Sequence, residues 1–158
     1  MGATTRSWPL SSILLAAAGA SLVVAGLYFI VVRPPLLPED VRYMALPAAQ
    51  FDAVRPRLEL WLGHVFKVMG GYVLATGVLA ITLAATSFRW HHSGAAVGAL
   101  IGGGASIGWM AYVNFAINSD FKWVLLGIAL LWACSLIVFW IEKRLTMLTL
   151  HPSATMQG

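Results

Sequence analysis

One cysteine, four histidines and six acidic residues are all that 158 residues offer to the commoner site chemistries. A lone Cys134 excludes an internal disulfide, a CxxC redox pair and a thiolate zinc site. It lies in an apolar run, where the expected state is a buried, inert thiol. Four histidines are too few for a hydroxylase or desaturase whose di-iron centre needs many. Charge is equally scarce, at 10% of residues against about a quarter in a soluble domain. The ten Lys and Arg give a net charge of +4, but they are scattered and their longest run is Lys143-Arg144. A clustered basic face is therefore missing, and nucleic acid is excluded as a partner. No acid falls within the first long apolar run, and no buried acid is expected elsewhere to take a proton. That argues against a small proton-coupled carrier, which needs a carboxylate in the membrane.

What the sequence does have is apolar surface. Hydrophobic residues make up 59% of the chain and the mean hydropathy is +0.81, more than one soluble core of this size can bury. Four spans of about 20 residues would use roughly half the length. The expectation is an all-α polytopic membrane protein forming one domain, residues 1–158. Its four transmembrane helices, at about 11–32, 60–85, 94–118 and 121–141, would form an antiparallel bundle. Arg6 ahead of the first run resembles a signal peptide, but a signal core runs about 7–15 residues, so a retained helix is expected.

Tryptophans support these limits. Trp8, Trp61, Trp90, Trp123 and Trp140 all fall at span ends, as an aromatic belt requires. Trp123 and Trp140 are about 26 Å apart along a helix, close to a hydrocarbon thickness. Trp61 to Trp90 would be about 44 Å, so the second helix must tilt or begin outside the hydrocarbon. The connector, 33–59, is rich in proline. Pro38-Glu39-Asp40 resembles a helix start and 51–62 is amphipathic, which suggests a short helix lying in the interface.

Four spans place both termini on one side. The opposite side carries six cations (Arg33, Arg42, Arg55, Arg57, Lys67, Lys122), and the terminal side four (Arg6, Arg89, Lys143, Arg144). Acids reverse the net order, so the cation rule gives no clear orientation. Cytoplasmic termini are expected because the long proline-rich connector reads as an external cap.

The third span carries Gly94, Gly98, Gly102 and Ser106 at four-residue spacing, the second offers Gly70, Gly71, Ala75 and Gly77, and the first Ala18, Ser21 and Ala25. Small residues at this spacing let helices approach closely in lipid. They are expected to pack helices within the bundle, with a homo-oligomer or another membrane subunit as the alternative. Polar residues gather at the non-terminal ends of the second and third spans. Glu39, Asp40 and Arg42 fall on the same side, and His64, Lys67, Asn114, Asn118, Asp120 and Lys122 form a candidate pocket, lidded by the 34–59 segment, for a quinone, a lipid headgroup or a partner's loop. His64 would supply a proton-exchanging group and Lys67 would pair with Asp120 or an anionic headgroup. The bland alternative is snorkelling side chains at an interface. His91-His92 invites a metal, but His64 is about 40 Å away along a helix and carboxylates are scarce nearby, so no metal is expected.

Three stretches carry a resemblance. They are Arg33-Pro34-Pro35-Leu36-Leu37-Pro38-Glu39-Asp40-Val41-Arg42-Tyr43-Met44, Phe66-Lys67-Val68-Met69-Gly70-Gly71-Tyr72, and Val113-Asn114-Phe115-Ala116-Ile117-Asn118-Ser119-Asp120-Phe121-Lys122-Trp123. Together the chain resembles a group of small uncharacterised bacterial four-helix inner-membrane proteins. The resemblance implies that architecture and location, and no site. With no catalytic constellation or cofactor motif, the expected role is a non-catalytic accessory or assembly subunit of a larger membrane complex. The alternative is a quinone or lipid site near His64 and Asp120.

Overall fold

A computed structural model describes residues 7–150; Arg6 and His151 lie outside them. Helices dominate, and no strand occurs among the described residues. The elements are α1 (Leu10–Leu27), which runs into a π-helical turn at Tyr28–Val32, then α2 (Pro38–Met44) and α3 (Ala48–Leu83), which ends in a second π turn at Ala84–Phe88. Next come α4 (Ser93–Gly103), a third π turn at Gly104–Gly108, α5 (Trp109–Ala116) and α6 (Lys122–Leu150). Four helical stretches are long and apolar enough to cross a membrane: Leu10–Val32, Ala48–Phe88, Ser93–Ala116 and Lys122–Thr149.

Two helix limits correct the sequence-based expectation. The second long helix begins at Ala48, not near residue 60, because 51–62 continues into it without a break even at Pro56. Proline in the ninth position removes one backbone donor on an exposed face, which bends a helix without ending it. The only short helix in the connector is α2. Its start follows from Pro38 at N1, from Glu39 and Asp40 in the first turn, and from the Asp40 carboxylate accepting the Leu37 N–H at 2.9 Å. The last helix runs past Glu142-Lys143-Arg144 to Leu150, since charges do not stop a helix that has reached water.

The first helix is the hub. It packs most extensively on α3 and next on α6, while α4 and α5 lean mainly on α6 and α4 barely meets α3. Gly19 and Gly26 on α1 face Gly77 and Gly70 on α3. A Cβ on Gly26 would lie 2.5 Å from Leu74 N and 2.7 Å from Gly70 O; one on Gly77 would lie 2.5 Å from Gly19 O. These four glycines, two turns apart on each helix, bring the backbones into contact. Gly103 makes the third close approach, under the Trp132 ring, whose Nε1–H donates to Ala99 O at 2.9 Å.

The expected packing set is corrected in part: Gly70 and Gly77 do pack, against α1. A Cβ on Gly71, Gly94, Gly98 or Gly102 meets nothing within 4 Å, so these residues do not pack helices among the described residues. Ser106 instead turns its hydroxyl back to Gly102 O at 2.6 Å. The five belt tryptophans are all exposed, whereas Trp132 is buried.

The end of the molecule that holds Leu10, His91 and Glu142 is tightly filled. Phe88 and Phe139 are fully buried, with ring centroids 4.5 Å apart, and His91 stacks on Phe139 at 5.2 Å. Glu142 accepts from Leu10 N at 2.9 Å, from Ser11 N and from the Ser11 hydroxyl, and lies 3.2 Å from His91 Nε2. A carboxylate from within the last helix, about two turns before its end, thus caps the start of the first, where orphan N–H groups and the helix dipole favour negative charge.

Candidate functional site

At the opposite end the bundle is open. Because α3 and the third span scarcely touch, a cleft of about 1130 Å³ lies between them, floored by α1 and α6. That is at or above the usual range for small-molecule sites, about 300–1,000 Å³. Its walls are Met69, Tyr72, Val73 and Thr76 from α3, and Ala105, Trp109, Met110 and Val113 from the facing span. Ala20, Val24 and Ala25 of α1, with Val124 and Ile128 of α6, make the floor. The body of the cleft is therefore hydrocarbon-like.

Its polar head is built by the connector. Arg33 follows the π turn of α1, and its guanidinium pairs with Asp40 at 3.1 Å and donates to the carbonyl oxygens of Pro34 and Pro35. The group lies flat on the Phe66 ring, 3.4 Å from its centroid, and only 7% of the side chain is exposed. Holding Asp40 in this way fixes the first turn of α2 and turns the neighbouring residue, Glu39, inward. Glu39 is 3% exposed. Its Oε1 accepts from the Ser119 hydroxyl at 3.3 Å, and Ser119 Oγ in turn accepts from Phe121 N. Among the described residues, Glu39 has no other hydrogen-bond partner. Arg33, Glu39, Asp40, Asn114 and Ser119 all line the cleft.

Of the six site residues expected from the sequence, only Asn114 lines this cleft, where its amide donates to Met110 O at 2.8 Å. His64 and Lys67 lie on another face of α3, beside Pro35, Pro56 and Glu59. Asp120 pairs with Arg42 at 3.3 Å rather than with Lys67, and the Lys122 ammonium donates to Asn118. The six are thus divided among three places. The expectation that no acid is buried is also overturned, since Glu39 is sequestered in the cleft head. Cys134, expected to be buried, is exposed on α6, because that turn faces away from the other helices. No group of three or more metal-ligating side chains occurs among the described residues.

No family profile matches the chain, and neither a curated protein nor a solved structure matches it.

Proposed function

We propose that this is a non-catalytic integral membrane protein that holds an amphiphile, a lipid or a quinone, in the lateral cleft. The carrying observation is the join of a long apolar cleft to a buried polar head at Arg33, Asp40 and Glu39. Amphiphile sites need this division, since chains are held by apolar contact and heads by a few placed polar groups. The polar site moves from His64 and Asp120 to Glu39 and Arg33.

In the same reading the four spans form an antiparallel bundle. The contacts that support it pair early with late residues: Gly19 with Gly77, Gly26 with Gly70, Ser11 with Glu142, and Ala99 with Trp132. The short α2, with Tyr43 and Val41 exposed beside Arg42, is taken to lie at the membrane interface. A bacterial inner membrane and cytoplasmic termini belong to the proposal too, on the resemblance and on the connector's character as a cap.

The test is native mass spectrometry of the protein extracted gently from its own membrane. The expected result is a retained amphiphile that is lost in Ala105→Trp, a change that fills the cleft. An empty protein, or a ligand indifferent to that change, overturns the reading.

A second reading, an accessory subunit docked to other membrane chains, is favoured by one observation. Gly94, Gly98 and Gly102 present a smooth stripe that none of the described residues covers. The same spectra test it, because a docked subunit carries other chains with it.

A further inference from the structure

We infer that the cleft selects an amphiphile with a cationic amine head, held by the Glu39 carboxylate among aromatic rings. This rests on the cleft being a ligand site and names the chemistry of its head.

The charge balance comes first. Arg33 and Asp40 cancel each other across 3.1 Å and Arg42 and Asp120 across 3.3 Å, so Glu39 is the charged residue of the cleft lining that has no ion pair among the described residues. A carboxylate this deeply buried is costly unless it is paired or fully hydrogen-bonded. Glu39 has a single donor, the Ser119 hydroxyl. One positive charge entering from the cleft would complete it.

The second observation is independent of the first. The rings of Phe121, Tyr28, Phe29 and Phe66 follow one another around the same end, with successive centroids 6.2, 5.8 and 6.2 Å apart. All four line the cleft. Aromatic faces attract cations, and carboxylates flanked by rings are a recurrent means of binding ammonium groups. The protein already uses two of these rings for that purpose, since the Arg33 guanidinium sits over Phe66 and within 5.5 Å of the Phe29 centroid. Tyr28 and Phe121 have no cation of their own among the contacts of the described residues. An ammonium head between them and Glu39 would gain both the ion pair and the ring faces. An anionic head would meet Glu39 directly, with the Arg33 guanidinium already engaged by Asp40 and that of Arg42 by Asp120.

Such a head could belong to an aminophospholipid of the bilayer or to a free lipophilic amine. The experiment separates these sources. Purified protein in maltoside micelles, which carry no charge, is doped with oleylamine, oleic acid or decylubiquinone at equal mole fraction. Parallel samples receive dioleoyl phosphatidylethanolamine or the corresponding phosphatidylglycerol, and retained molecules are counted by native mass spectrometry. The expected result is retention of oleylamine over oleic acid by about tenfold or more, with a similar loss in Glu39→Gln and partial rescue in Glu39→Asp. Phosphatidylethanolamine retained as well identifies a bilayer lipid; oleylamine alone identifies a free amine. Either supports the inference. Oleic acid or decylubiquinone retained as well as oleylamine, or no effect of Glu39→Gln, overturns the head chemistry and leaves the cleft reading intact. If no amphiphile is retained, or retention is unchanged in Ala105→Trp, both fail together. Should Glu39→Gln not fold, Ser119→Ala serves in its place. It removes the carboxylate's only internal donor and is expected to strengthen, not weaken, dependence on an amine head.

Discussion

At the scale of single residues, one of the tight backbone constraints is the absence of a side chain at Gly26. Its neighbours are backbone atoms, Leu74 N and Gly70 O, which cannot rotate away as a flexible side chain would. Gly26→Ala therefore forces α1 and α3 apart. The expected cost is about 1–3 kcal/mol, read as a lower unfolding midpoint in detergent. An unchanged midpoint would mean that the two backbones do not meet there. Nothing in the sequence distinguishes Gly26 from Gly98, because both lie in apolar runs among small residues. Helices that are apolar all round carry no periodic signal to say which face is inward. The same lack of direction explains why Cys134 was expected to be buried. Glu39 belongs to the polar group that the sequence places on the non-terminal side, but its burial is not legible there, because Pro38-Glu39-Asp40 reads as an ordinary acidic helix start. Only the fold shows that Arg33 takes one carboxylate and Ser119 meets the other.

Among the helices, the informative contacts lie at the ends. Long apolar runs mark the spans well from sequence alone, and the first span matches its expected limits closely, at Leu10–Val32. The connector was less legible. An amphipathic stretch at 51–62 can lie on a membrane or extend a span, and periodicity does not separate the two. Glu142 joins the last helix to the first through the Leu10 and Ser11 N–H groups, a contact spanning most of the chain that local sequence cannot announce. Glu142→Gln keeps the shape and one acceptor oxygen but removes the charge from the start of α1. Thermal unfolding is expected to show a loss of about 1 kcal/mol, smaller at high salt if the pairing is electrostatic. A variant as stable as the parent would reduce that cap to a geometric coincidence. Two of the π turns also close long helices, at Tyr28–Val32 and Ala84–Phe88. In one of them Thr86 leaves helical geometry, with its hydroxyl donating to Thr82 O at 2.7 Å. Back-bonding of this kind loosens the local ladder and permits the sharp turn that follows.

For the molecule as a whole, the question is what the outer surface meets. The stripe of Gly94, Gly98 and Gly102 and the cleft lie at different places, so they can be tested separately. Gly98→Leu adds its side chain to open space and is expected to leave the unfolding midpoint within about 0.5 kcal/mol of the parent. If the chain is a docked subunit, the same change should release it from its complex during gentle extraction. Intact co-extraction would remove the stripe from consideration as a docking face. Amphiphile retention should be unaffected in either case, since Gly98 is not part of the cleft.

The asymmetry between the two ends has one more consequence. Phe88, Phe139 and the capped start of α1 stop the bundle at one end, while the cleft occupies only the half nearest α2. Under the proposed reading, an amphiphile lodged there would lie in the half of the bundle nearest α2, short of the packed end at Phe88 and Phe139.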